Sequence, residues 1–132
     1  DRAQAAQLAL TYQPQATAKV YGDAEQLQRL FANLLSNALQ YTPAGGIVTV
    51  TLQQAGKTAV VRVQDNGIGI APADLPHVFE RFWRTEEARH HYRDGSGLGL
   101  AIAKTIVERH HGQISVQSQP HQGTCFEVKL PC

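Results

Sequence analysis

The chain has 132 residues, long enough for a single hydrophobic core, and 42% of them are hydrophobic, as in an ordinary soluble globular domain. Twelve basic against eleven acidic side chains leave a net charge of +1 with no block of like sign, which excludes a general polyanion-binding surface and with it nucleic acid as partner. The apolar runs are interrupted too often for a membrane span or a signal peptide, so direct membrane contact is excluded for these residues.

Residues 8–12 and 17–21 alternate as two short strands broken at Pro14. Asp23 is the expected N-cap of a helix that repeats Leu27, Leu30, Phe31, Leu34, Leu35, Ala38 and Leu39 on one side. That helix should end near Tyr41 and Thr42, because Pro43 disfavours helix before it and Gly45 and Gly46 turn the chain. Residues 47–52 and 58–63 alternate as strands, with 53–57 as the hairpin turn. The segment 65–94 shows only a helical hint over 75–82, and an irregular stretch of that length in a compact domain is usually functional. A second long helix is expected over 98–111, followed by strands at 113–118 and 124–130. This order predicts an α/β two-layer sandwich, with helices on one face of a mixed sheet.

Three stretches carry chemistry. The turn Gly95-Ser96-Gly97-Leu98-Gly99 runs into the apolar helix of Ile102, Ile106 and Val107, and an opening helical turn offers unpaired N–H groups and a positive dipole end to a phosphate; a mere connection is the plainer alternative. Asn33, Asn37 and Tyr41 are four apart and share one helical face, where a carboxamide oxygen is a suitable hard ligand for Mg²⁺; a solvated polar face is the plainer alternative. Asp65-Asn-Gly-Ile-Gly-Ile70 follows an apolar strand. A carboxylate there can accept from an exocyclic amino group that adenine has and guanine lacks at that ring position, with Gly67 and Gly69 allowing close approach and Ile68 and Ile70 walling a slot; a tight turn is the plainer alternative. The dinucleotide G-x-G-x-x-G spacing, the Walker loop and the H-R-D and D-F-G signatures of protein kinases are missing. The adjacent pairs His90-His91 and His110-His111 read as solvated surface, not as metal ligands. Cys125 and Cys132 form neither a metal spacing nor a disulfide framework, which fits a reducing, cytoplasmic environment, and without any methionine Asp1 reads as the start of a piece of a longer chain.

Asn33-Leu-Leu-Ser-Asn37-Ala-Leu-Gln-Tyr-Thr42, Asp65-Asn-Gly-Ile-Gly69, Phe79-Glu-Arg-Phe-Trp-Arg84 and Gly95-Ser-Gly-Leu-Gly99 stand in the order of the asparagine, first glycine, phenylalanine and second glycine boxes. From about residue 7 onward the chain resembles the catalytic ATP-binding domain of two-component sensor histidine kinases, within the GHKL superfamily. The resemblance implies the Bergerat fold, a mixed, mostly antiparallel sheet packed on one face by helices with a mobile ATP lid over 80–94. It implies ATP and Mg²⁺ as ligands, with Asn33, Asn37 and Arg84 as catalytic residues and Asn37 on the metal. By the same resemblance Tyr41, Asp65, Gly67, Gly69, Ile70, Gly95, Ser96, Gly97, Leu98, Gly99, Leu100 and Thr124 join them in holding the nucleotide, Asp65 reading the adenine amino group and Gly123-Thr124 forming the last box. Arg89, His90, His91 and Arg93 would join Arg84 in closing the lid on phosphate charge.

Many family members carry a lysine where this chain has Gln40, which removes one charge contact to the phosphates. The true ATPases and the serine-directed kinases of the superfamily tend to place a water-activating glutamate four residues before the metal-binding asparagine, and here that position is Asn33. Transfer to a supplied histidine is therefore expected in place of hydrolysis. None of the six histidines has the continuation of the family's phosphoacceptor, so residues 1–132 are expected to be one monomeric catalytic domain that does not autophosphorylate alone. Its partners would be its own dimerisation and phosphoacceptor domain, which makes the full protein a homodimer, and a response regulator. The expected setting is the cytoplasmic side of a membrane-anchored bacterial sensor. A catalytically silent, nucleotide-gated regulatory module is the alternative.

Overall fold

The computed structural model describes residues 9–14, 22–80 and 99–131. Five strands and two helices make up this part: β1 (Ala9–Pro14), α1 (Ala24–Gln40), β2 (Ile47–Ala55), β3 (Thr58–Asp65), a 3-10 turn (Leu75–His77), α2 (Gly99–Arg109), β4 (Gln113–Gln119) and β5 (Gly123–Pro131). The strands form one sheet in the order β1-β2-β3-β5-β4. β1 runs parallel to β2, and every other pairing is antiparallel.

α1 starts where Asp23 predicts, with its Oδ1 accepting the Gln26 N–H at 3.1 Å. It ends at Tyr41, whose N–H still bonds Asn37 C=O at 3.1 Å before Pro43 stops the helix. α2 is shorter than the expected 98–111 because its C-terminus closes early. His111 takes a left-handed φ of 61°, and the Gly112 N–H turns back to Val107 C=O at 2.9 Å.

The structure corrects several expected boundaries. The first strand spans Ala9–Pro14 and runs through the proline, which is tolerated because β1 is an edge strand and its end needs no further N–H; the expected strand at 17–21 lies outside the described residues. The β2–β3 hairpin is tighter than a turn over 53–57. Pairing continues to Ala55 and Thr58, leaving only Gly56 and Lys57 to turn, with Gly56 at φ 61°. The helical hint over 75–82 yields only the 3-10 turn, which Asp74 does not cap through its side chain; residues 81 and 82 lie outside the described residues.

Leu30, Leu34 and Ala38 of α1 and Ala103, Ile106 and Val107 of α2 pack over Val48, Val63, Phe126, Val128 and Leu130 of the sheet, all buried. Each fully buried aliphatic or Phe side chain contributes about 1.5–3 kcal/mol through removal of apolar surface from water. The Phe79 ring meets Phe126 edge-on at 6.1 Å between centroids, which ties the segment after β3 to this core. Strand alternation turns Arg62 and Glu127 to the opposite face, where Arg62 Nε donates to Glu127 Oε2 at 2.6 Å. The helices thus cover one face of a mixed sheet, as expected, and the last residue of β3 sits at the end of the covered face.

Candidate functional site

That last residue is Asp65. It lies between Val48 of β2 and Thr124 of β5 and is only 6% exposed. Its Oδ1 accepts the Gly67 N–H at 2.8 Å, and the Thr124 backbone N–H also bonds the carboxylate. Burial outweighs these two donors and pushes the carboxyl pKa up to about 6. Among the described residues no cation pairs with it. A buried carboxylate supplied with two N–H donors and no counter-ion is an acceptor waiting for a further donor.

The loop after Asp65 is held by backbone on both sides. Ile68 N–H donates to Tyr41 C=O at 3.2 Å, and Ile68 C=O accepts from His121 N–H at 2.7 Å. Gly67 and Gly69 were expected to let a ligand come close; what comes close is the protein's own backbone. A Cβ on Gly67 would stand 2.2 Å from Tyr41 C=O, and one on Gly69, at φ 73°, 2.0 Å from Gln119 C=O. Gly123, at φ 121°, is pressed in the same way on Asp65 C=O. The Ile70 N–H donates to Ser118 Oγ at 2.7 Å. Tyr41, Asp65, Gly67, Gly69, Ile70 and Thr124 are thus brought to one end of the sheet.

On α1, Asn33 and Asn37 are half-buried, so this face is not simply solvated. The Asn33 Nδ2 donates to Gly99 C=O at 3.3 Å, joining the asparagine face to the first residue of α2. Tyr41 follows one turn after Asn37 as the C-cap, and its carbonyl holds the Asp65 loop. One helix therefore carries both the asparagines and the anchor of the carboxylate loop.

A family profile described as "Histidine kinase-, DNA gyrase B-, and HSP90-like ATPase" matches residues 22–132. The chain belongs to this ATPase family. It is 47% identical over 111 residues to the sensor histidine kinase RppB of Synechocystis sp., covering 84% of this chain and 24% of RppB. Among solved structures, the mycobacterial sensor histidine kinase MprB is 36% identical with a TM-score of 0.88, covering 98% of this chain and 88% of that one. Full-length ShkA in complex with AMPPNP is 26% identical with a TM-score of 0.83, covering 98% of this chain and 27% of that one. The relatives are sensor histidine kinases, and the sandwich is that of their catalytic domains. The chain spans between 24% and 33% of the length of the curated relatives it matches.

Within this ATPase family domain, Gly99 and Leu100 open α2 with both residues half-buried, whereas Arg84, Gly95, Ser96, Gly97 and Leu98 lie outside the described residues, as do residues 81–94 of the expected lid. Among the described residues no group of three or more His, Cys, Asp or Glu is placed to hold a metal, and no helix is long and apolar enough to cross a membrane. His110 is not solvated surface. It is 8% exposed, its Nε2 accepts the Asp23 N–H at 3.1 Å, and its Nδ1 donates to Ile106 C=O at 2.8 Å, clamping the start of α1 to the end of α2. Sequence reasoning missed Ser118 altogether. A serine at an inward position of an otherwise Ile, Val alternation was the available signal.

Proposed function

We propose that this domain binds Mg-ATP and supplies its γ-phosphoryl group to a histidine of a separate dimerisation domain, as the catalytic part of a two-component sensor histidine kinase. The observation that carries the reading is Asp65: a buried carboxylate at a strand end, with no cation among the described residues and two N–H groups orienting it. An adenine amino group placed there supplies the missing donor, and Ile70 and Tyr41, whose backbone groups hold the loop after Asp65, would flank the position. Full-length ShkA, which shares the fold over this chain, is solved in complex with AMPPNP, and this supports a nucleotide as the ligand class.

Asn37 would hold the metal through its carboxamide oxygen, which adds no negative charge beside the triphosphate. Mg²⁺ bound there would neutralise phosphate charge and orient the terminal group. Asn33, Gly99 and Leu100 would line the phosphate side, together with Arg84 and residues 95–98. Asn33 occupies the position of the superfamily's water-activating glutamate. Its amide donates to Gly99 C=O and it has no carboxylate to accept a proton, which favours transfer over hydrolysis. In the transfer a neutral imidazole nitrogen attacks the γ-phosphorus, the bond to the bridging oxygen breaks, and ADP leaves with the electron pair. The imidazole belongs to the dimerisation domain, which makes the full protein a homodimer, and a response regulator is the onward acceptor. The setting we propose is the cytoplasmic side of a membrane-anchored sensor.

The test is isothermal titration of the domain with a non-hydrolysable ATP analogue, with and without Mg²⁺, for the wild type and Asn37→Ala. Selective binding that Mg²⁺ strengthens in the wild type and not in Asn37→Ala is expected. The same Mg²⁺ dependence in both proteins would remove Asn37 from the metal.

A further inference from the structure

Ser118 lies on β4 directly opposite Thr124 of β5, and Thr124 in turn lies opposite Asp65 of β3. Three groups reach the Ser118 hydroxyl. The Ile70 N–H lies at 2.7 Å, the Gly123 C=O at 2.8 Å, and the Thr124 hydroxyl at 2.8 Å. A serine hydroxyl has one proton and two lone pairs. The amide of Ile70 has only a proton to offer, so it takes one lone pair. The carbonyl of Gly123 has none, so it takes the serine proton. One lone pair is left, and the Thr124 hydroxyl must donate into it. The single proton of Thr124 is therefore spent on Ser118, and Thr124 Oγ1 keeps only lone pairs for anything else it meets.

We infer that Ser118 is a specificity-determining positioning residue of the base site: it fixes Thr124 Oγ1 as an acceptor beside the Asp65 carboxylate. The inference rests on the proposed reading of Asp65 as the adenine acceptor. At ring position 6 an amino donor then meets two acceptors, the Asp65 carboxylate and Thr124 Oγ1. A purine with a carbonyl there, guanine or hypoxanthine, sets lone pairs against lone pairs, which a desolvated site rejects strongly. Through Ile70 N–H and Gly123 C=O the same hydroxyl also ties the loop after Asp65 to the start of β5, the two segments that carry the N–H donors to the carboxylate. Ser118 acts through these groups and need not touch the base itself. Without it, the Thr124 proton is released and can turn toward a purine carbonyl.

The experiment compares the dissociation constants of non-hydrolysable ATP and ITP analogues for the wild type, Ser118→Ala, Ser118→Thr, Thr124→Val and the Ser118→Ala/Thr124→Val pair, with thermal unfolding of each as a check on folding. Ser118→Ala should lose about tenfold of the adenine preference, mainly through tighter inosine binding, and Ser118→Thr should retain it. In the Thr124→Val background, Ser118→Ala should change the preference no further. Equal weakening of both nucleotides by Ser118→Ala, or additive effects in the pair, would overturn the inference and leave Ser118 a purely structural residue. If Ser118→Ala does not fold, Thr124→Val alone decides, since an unchanged preference there overturns the inference equally. A wild type without adenine preference would sink the reading of Asp65 and this one with it. A wild type that prefers adenine beside an unchanged Ser118→Ala would sink this one alone.

Discussion

Asp65 and Glu127 stand on neighbouring strands of one sheet but on opposite faces, and their surroundings differ in kind. Glu127, on the open face, accepts from Arg62 at 2.6 Å and has the Lys129 ammonium at 3.6 Å, and the Arg62 hydrogen bond leads the causes that hold its carboxyl below the usual range. Asp65, under the helices, has two backbone N–H donors and no cation among the described residues, and burial raises it to about 6. Folding alone would favour a neutral residue at Asp65, because a buried charge without a partner costs stability. The contrast teaches that the open-face carboxylate serves the sheet, while the covered one has acceptor capacity that no cation among the described residues takes up, as the proposed ligand role requires.

The hardest way to break this contrast is at Gly123. An alanine Cβ there would stand 2.0 Å from Asp65 C=O at a φ of 121°, so Gly123→Ala should lose about 3 kcal/mol or more in urea unfolding. An unchanged midpoint would mean that the Asp65 backbone is not held by this contact.

Asp65→Asn sharpens the comparison because it should move binding and stability in opposite directions. Adenine nucleotide affinity should fall by about 1–3 kcal/mol in titration calorimetry. The ligand-free domain should become more stable at pH 7, by up to about 3 kcal/mol for a pKa displaced by roughly two units. A loss in both measurements would place Asp65 with the structural carboxylates.

The pH dependence follows from the same group. With its folded pKa at about 6, above the ordinary 3.8, Asp65 keeps its proton longer in the folded than in the unfolded chain. Its contribution is therefore fully present below about pH 4 and is lost as pH rises through about 6. Nucleotide binding should run the other way and weaken as pH falls through about 6, because the protonated carboxyl gives up acceptor capacity. Denaturation curves from pH 4 to 8 for the wild type and Asp65→Asn isolate the first effect, and titrations over the same range test the second.

The smallest change is expected at Glu127. Its partner Arg62 is 42% exposed, so Glu127→Gln should cost less than about 1 kcal/mol and leave nucleotide affinity where it was. A large loss of affinity would show that the two faces are coupled through the sheet.

Much of the fold was legible in the chain because each signal was local. Asp23 before an apolar repeat, Pro43 behind it, and strict alternation in β4 and β5 each act over a few residues, and the observed elements agree within a few positions. Where the reading slipped, a local cue was outweighed by one residue's conformation, as at Gly56, where a left-handed turn let pairing run three residues further along β2. His110 read as surface because its neighbour is also histidine; its ring is buried by a contact with Asp23 across 87 residues. Ser118 was invisible for the same reason, since its role depends on Ile70, 48 residues away.

The sequence by itself determined which residue types stand at which spacing: a carboxylate at a strand end before two glycines, asparagines four apart on a helix, glycines opening a second helix. Spacing along a chain is covalent, so those patterns need no folded context. Only the tertiary structure decided that Asp65 is sealed off with no counter-ion among the described residues, that Gly67 and Gly69 make room for Tyr41 and Gln119, and that the hydroxyls of Ser118 and Thr124 meet. Burial and hydrogen-bond direction are properties of groups brought together from distant parts of the chain, and no single stretch of it contains them.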